Sequence, residues 1–129
     1  MQSTVLVTDE DPHTVLLIKL AVQTTSLPVD FRSVTRRGDY VASLSQPSPD
    51  VLITELSLPW GNGFGVAGRY RQAGFSCPII MLTAVGDEEV AVNAIKRGFH
   101  DYIYFASDWE RLLPRAIESA IQGLPSPFS

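Results

Sequence analysis

The chain has 129 residues, 45% hydrophobic and 19% charged, with a formal net charge of −4. That is enough for one domain with a sizeable core, too apolar for a disordered chain, and without an electrostatic basis for nucleic-acid binding. A single cysteine, Cys77, excludes an intrachain disulfide framework and fits a reducing cytoplasm. No apolar stretch approaches the roughly 20 residues of a membrane span, and the first four residues carry no basic region of a signal peptide.

Residues 4–8, Thr-Val-Leu-Val-Thr, read as a short buried strand. Three acids follow, Asp9, Glu10 and Asp11, then Pro12. Proline suits the first turn of a helix, and acids there complement the helix dipole. A helix is predicted over 12–24, with Val15, Leu16, Ile18, Leu20 and Val22 on its inner face. Asp11 is placed to cap it, which leaves Asp9 and Glu10 without a structural duty. Residues 28–34 alternate apolar and polar side chains like a half-buried strand. A helix over 37–45 should turn Tyr40, Val41 and Leu44 inward, before the break at Gln46-Pro47-Ser48-Pro49.

Val51-Leu52-Ile53 opens the most informative stretch. It reads as a buried strand ending at a carboxylate, Glu55, followed by Leu56-Ser57-Leu58-Pro59 and the turn-forming Gly61-Asn62-Gly63. A helix over 64–73 stops at Gly74. Residues 78–82 form the fourth strand, ending at Thr83-Ala84; Gly86-Asp87-Glu88-Glu89 opens a helix that stops at Gly98. Residues 100–104 form the fifth strand. From about Asp108, Trp109, Leu112, Leu113, Ala116, Ile117, Ala120 and Ile121 recur at three- and four-residue steps, the clearest helical pattern in the chain. Residues 1–122 thus make one domain, and 123–129 a tail or the start of a linker.

Five strand–helix units with short loops predict an α/β domain with a parallel sheet covered on both faces. The common doubly wound order for five strands, 2-1-3-4-5, puts the ligand site at the ends of the first and third strands. There Asp9, Glu10 and Glu55 form an acidic pocket, with the Thr83 hydroxyl beside it. Carboxylates so placed raise one another's pKa or recruit a hard cation such as Mg²⁺ or Mn²⁺.

Asp9-Glu10-Asp11-Pro12, Glu55-Leu-Ser-Leu-Pro-Trp-Gly-Asn-Gly63, Leu82-Thr83-Ala84 and Gly98-Phe-His-Asp-Tyr102 occur in that order after successive strands. In this the chain resembles the response-regulator receiver domain, the phosphoacceptor module of two-component signalling, from about Thr4 to Gln122. The resemblance implies a flavodoxin-like (βα)5 fold, and the order 2-1-3-4-5 belongs to it rather than to the pattern alone. It implies that Asp9 and Glu10 match the acidic pair that holds Mg²⁺ directly or through water, and that Ser57 supplies its backbone carbonyl to the same ion. Glu10, Glu55, the Ser57 carbonyl and, through water, Asp9 are therefore the expected metal ligands. Thr83 matches the switch hydroxyl and Tyr102 the aromatic that moves with it.

Two positions depart from the family. The phosphoacceptor aspartate is replaced by Glu55, whose extra methylene carries the carboxylate outward by about 1.5 Å. The family's lysine is replaced by Phe105, which has no charge to offer an acceptor or a phosphoryl group. Phosphoryl transfer depends on tight positioning, so the sequence is expected to encode an atypical receiver, a pseudo-receiver, that is not an enzyme. It is expected to signal in the cytoplasm through protein–protein contact, with weak Mg²⁺ binding and with Glu55 partly mimicking a phosphorylated acceptor. The alternative is a working receiver that takes a phosphoryl group from a histidine kinase on Glu55 or a neighbouring acid. A nucleotide- or flavin-binding protein is disfavoured, because the acids after the first strand repel phosphate where a glycine-rich cradle is needed. Expected partners are a histidine kinase, another signalling protein or a covalently linked sensor or output domain. A homodimer through the fourth helix, fifth strand and fifth helix would use Tyr102, Trp109 and Arg111, with Trp109 alternatively in the core. No nucleic-acid or membrane role is expected of this domain.

Overall fold

The computed structural model describes residues 2–106 and 108–126. In chain order the elements are β1 (Ser3–Thr8), α1 (Pro12–Val22), β2 (Val29–Val34), α2 (Arg37–Ser43), β3 (Val51–Thr54), β4 (Ser57–Leu58), β5 (Gly61–Asn62), α3 (Gly63–Gln72), β6 (Ile79–Thr83), α4 (Glu88–Lys96), β7 (Asp101–Tyr104) and α5 (Trp109–Ile121). The main sheet is parallel throughout, in the order β2-β1-β3-β6-β7. With the β4–β5 hairpin set aside, this is the doubly wound order 2-1-3-4-5.

The strand side chains alternate between two cores. Val5, Val7, Val51, Ile53, Ile80 and Leu82 pack with α1 and α5. Leu6, Leu52, Ile79 and Met81 pack on the other face with Tyr40 of α2, Val66, Ala67 and Tyr70 of α3, and Ala94 of α4. Covered on both sides, β3 and β6 are buried at every position, which explains their unbroken apolar runs. β2 lies at the edge and is half-buried. Gly74 and Gly98, at φ 101° and 79°, follow α3 and α4 in the left-handed conformation that ends helices.

Two helices orient differently from expectation. In α1, Leu16 and Leu20 are 52% and 54% exposed, and Val15, Ile18, Ala21 and Val22 form the buried stripe. The helix is apolar almost all round, so hydrophobicity alone does not select its inner face. In α2, Tyr40 is buried but Val41 is 48% exposed. Ser43 takes the inward position: its hydroxyl donates to the Tyr40 carbonyl and lies 2.6 Å from the Tyr70 hydroxyl. A satisfied polar contact thus displaces an aliphatic one.

The stretch after Glu55 is a hairpin as well as a turn. Ser57 pairs with Asn62 and Leu58 with Gly61, and the Gly63 amide donates to the Leu56 carbonyl at 2.7 Å. A Cβ on Gly63 would collide with the Glu55 carbonyl oxygen and lie 3.1 Å from Leu56 Cα, so only glycine closes this loop without displacement. α5 contains Pro114, buried in the helix interior. Proline supplies no N–H there, so the Glu110 carbonyl lacks its usual partner within the helix.

Candidate functional site

The register aligns the strand ends. Thr8 pairs with Thr54 across β1–β3, and Thr83 with Tyr104 across β6–β7. The next residues along these chains, Asp9, Glu55, Ala84 and Phe105, all line one cavity of about 470 Å³. Backbone bonds continue past the strands to hold them: Glu55 N donates to Thr8 O at 3.0 Å and Phe105 N to Thr83 O at 2.9 Å. Beneath them, the buried Thr8 hydroxyl donates to the Thr54 hydroxyl at 2.7 Å.

Glu55 is tied down on one oxygen. Its Oε1 accepts the Leu56 amide at 2.8 Å, the Ser57 amide at 3.4 Å and the Thr83 hydroxyl. Thr83 Oγ1 in turn accepts the Val85 amide at 3.1 Å, so one hydroxyl joins the carboxylate to the loop after β6. The Tyr102 hydroxyl reaches the same loop: it donates to the Val85 carbonyl and accepts the Asp87 amide at 3.4 Å. Thr83 and Tyr102 stand behind the cavity wall, not on it.

Asp9 is 4% exposed, and its Oδ1 accepts the Asp11 amide at 2.9 Å. Burial, the largest cause, pushes its pKa up to about 6; the Asp11 N–H bond opposes the rise, and the charges of Glu55, Asp11 and Glu10 add to it. Asp11 caps α1, accepting the His13 amide at 3.0 Å and the Thr14 hydroxyl at 2.9 Å, which holds its carboxyl below the usual range. Glu10 is exposed at the rim.

Phe105 packs edge-on against Trp109, ring centroids 5.0 Å apart. Together with Leu17, Ala84 and Val85 they make the apolar part of the cavity lining. The sequence patterns single out neither Leu17 nor Trp109 as a site residue. Leu17 is one turn after Thr14, on the helix face that meets the acidic loop, and that spacing is the only signal. Trp109 is 8% exposed in the α1–α5 core, the second of its two expected settings. Arg111 is exposed and paired with Asp108 at 2.6 Å.

Asp9, Glu10, Glu55 and Ser57 share the cavity. Yet among the described residues no three His, Cys, Asp or Glu side chains converge to hold a metal ion. Mg²⁺ demands near-octahedral oxygens at about 2.0–2.1 Å. Here the Glu55 Oε1 is folded back on two amides and a hydroxyl, and Asp11 is consumed by the helix cap. As arranged, the carboxylates do not close into a donor set for that ion.

The response regulator receiver domain family matches residues 5–116, and the chain belongs to it. It is 30% identical over 104 residues to an uncharacterized 14.6 kDa protein in the sodA1 3′ region of Leptolyngbya boryana, covering 79% of this chain and 78% of that protein. It is 31% identical over 88 residues to the luminescence regulatory protein LuxO of Vibrio campbellii, covering 68% of this chain but only 19% of LuxO. Among solved structures, the isolated receiver domain of RcsB from Salmonella enterica serovar Typhimurium superposes with a TM-score of 0.82 at 18% identity, covering 97% of this chain and 92% of that one. The protein is thus a receiver module of two-component signalling rather than a classical enzyme. Receiver domains generally bind Mg²⁺ and interact with histidine kinases. Among the described residues no helix is long and apolar enough to cross a membrane.

Proposed function

We propose that this chain is a pseudo-receiver: a signalling domain in a phosphorelay system that acts through protein–protein contact, with phosphorylation impaired or absent. The observation that carries this is the engagement of the residue at the acceptor position. Glu55 Oε1 accepts two loop amides and the Thr83 hydroxyl, so the carboxylate is held back against its own loop and only its other oxygen is left to meet phosphorus. Phe105, packed on Trp109, stands where the family's lysine would neutralise developing charge. Removing one such electrostatic donor typically costs about 10²–10³ in rate. Glu55 bonded to Thr83 partly mimics an occupied acceptor, although one carboxylate lacks the charge and the oxygens of a phosphoryl group.

Residues 1–122 are the signalling unit in this reading, and the remainder begins a linker or tail. The chain acts in the cytoplasm, and its partner is a histidine kinase, another signalling protein or a linked domain. Incubation with acetyl phosphate and Mg²⁺, followed by intact mass, tests the proposal. An unmodified protein is expected. Stoichiometric modification would instead make Glu55 or a neighbouring acid a working acceptor.

A further inference from the structure

The cavity at the strand ends has two kinds of lining. Asp9, Glu10 and Glu55 give it a negative part, and Leu17, Val85, Phe105 and Trp109 an apolar one. Among the described residues no lysine or arginine lines it. Asp9 is more than nine-tenths buried, and its Oδ1 accepts the Asp11 amide. A buried carboxylate is costly to ionise, and it favours a partner of opposite charge. About 470 Å³ is far more space than a metal ion needs and falls within the range of small-molecule sites.

We propose that this cavity binds a small organic cation with an apolar body, an alkyl- or arylalkyl-ammonium, its head among Asp9, Glu10 and Glu55 and its hydrocarbon against Leu17, Phe105 and Trp109. The ammonium supplies donors to the carboxylate oxygens. The two rings offer dispersion contact and, to a cation within about 6 Å of a ring centroid, a cation–π attraction. The same chemistry is carried by a free amine and by a lysine side chain of a partner protein. The inference goes beyond the pseudo-receiver reading, since a chain that could be phosphorylated would present the same lining.

Calorimetric titration of the intact chain tests it, with n-hexylammonium, n-hexanol, Mg²⁺ and N-acetyl-lysine-N-methylamide as probes. Hexylammonium is expected to bind at least about tenfold more tightly than hexanol, the difference that one charge-assisted contact provides. Glu55→Gln and Phe105→Lys are each expected to weaken it by about tenfold, the latter by tethering a competing cation; circular dichroism checks that both fold. If one variant does not fold, the other and the hexanol comparison still decide. A lysine derivative that binds as well as hexylammonium assigns the site to a partner's side chain; a weaker one assigns it to free amines. Equal binding of hexanol and hexylammonium overturns the proposal, as does hexylammonium binding unaffected by the substitutions or undetectable at millimolar concentration. Intact-mass phosphorylation is read separately, so failure here leaves the pseudo-receiver reading standing and the converse also holds.

Discussion

At the scale of single residues, Asp9 is a buried carboxylate whose ionisation opposes folding. Its pKa rises from an ordinary 3.8 to about 6 in the folded chain. Between these values the folded state binds the proton more tightly than the unfolded state, so stability falls as pH rises, and above about pH 6 the penalty is complete. Asp9→Asn removes it while keeping an oxygen for the Asp11 amide. In metal-free buffer the variant should exceed wild type by roughly 1–2 kcal/mol at pH 7–8. This takes about 1.4 kcal/mol for each tenfold change in proton affinity and discounts it for partial solvation. The gap should close towards pH 4. Urea denaturation across that range measures it; a pH-independent gap would contradict the assignment. Thr83 is buried and donates to Glu55. Thr83→Val should lower stability by about 1–3 kcal/mol, the range for a lost hydrogen bond to a charged group, and a Glu55→Gln background should shrink that loss in a double-mutant cycle.

Elements carry most of what could be read in advance. The ends of β1, β3 and β6 were legible because short β-branched runs stop at polar residues, and those stops place Asp9, Glu55 and Thr83. The inner faces of α1 and α2 were not. A helix that is apolar nearly all round has no single stripe, and the inward turn of Ser43 depends on Tyr70, 27 residues away in sequence. Side-chain direction inside the site was equally hidden: nothing local says that Glu55 folds back on the Leu56 and Ser57 amides. Gly63 shows the limit well, since its sequence signal is a turn while its structural duty is to clear the Glu55 carbonyl. Gly63→Ala should therefore cost about 1–3 kcal/mol through overpacking against backbone that cannot swing aside. Gly65→Ala, in the same helix with open space around it, should be neutral or mildly stabilising. Thermal denaturation of the pair checks the contrast, and equal effects would mean the loop relaxes freely.

For the molecule as a whole, the sheet positions the site while the helices present the surfaces. The partner face expected of α4, β7 and α5, with Tyr102 and Arg111, also carries exposed Val92, Ile95 and Tyr104, at 45%, 57% and 37%, while Trp109 packs in the core. Ile95→Asp and Arg111→Glu should each reduce self-association or partner capture without changing the melting temperature, because neither side chain contributes to the core. Light scattering and pull-down read this, and unchanged association in both variants would remove the face from consideration.

In the proposed reading the acceptor position has lost its chemistry through Glu55 and Phe105. Intact-mass spectrometry after incubation with acetyl phosphate and Mg²⁺ tests it on three proteins: wild type, Glu55→Asp, and Glu55→Asp with Phe105→Lys. Shortening the side chain frees the carboxylate from its own loop, and the lysine restores a positive partner for the phosphoryl oxygens. Wild type should remain unmodified, Glu55→Asp should gain a phosphoryl group slowly, and the double variant should gain it faster, by up to about 10²–10³-fold. Wild type phosphorylated as readily as the double variant would contradict the account.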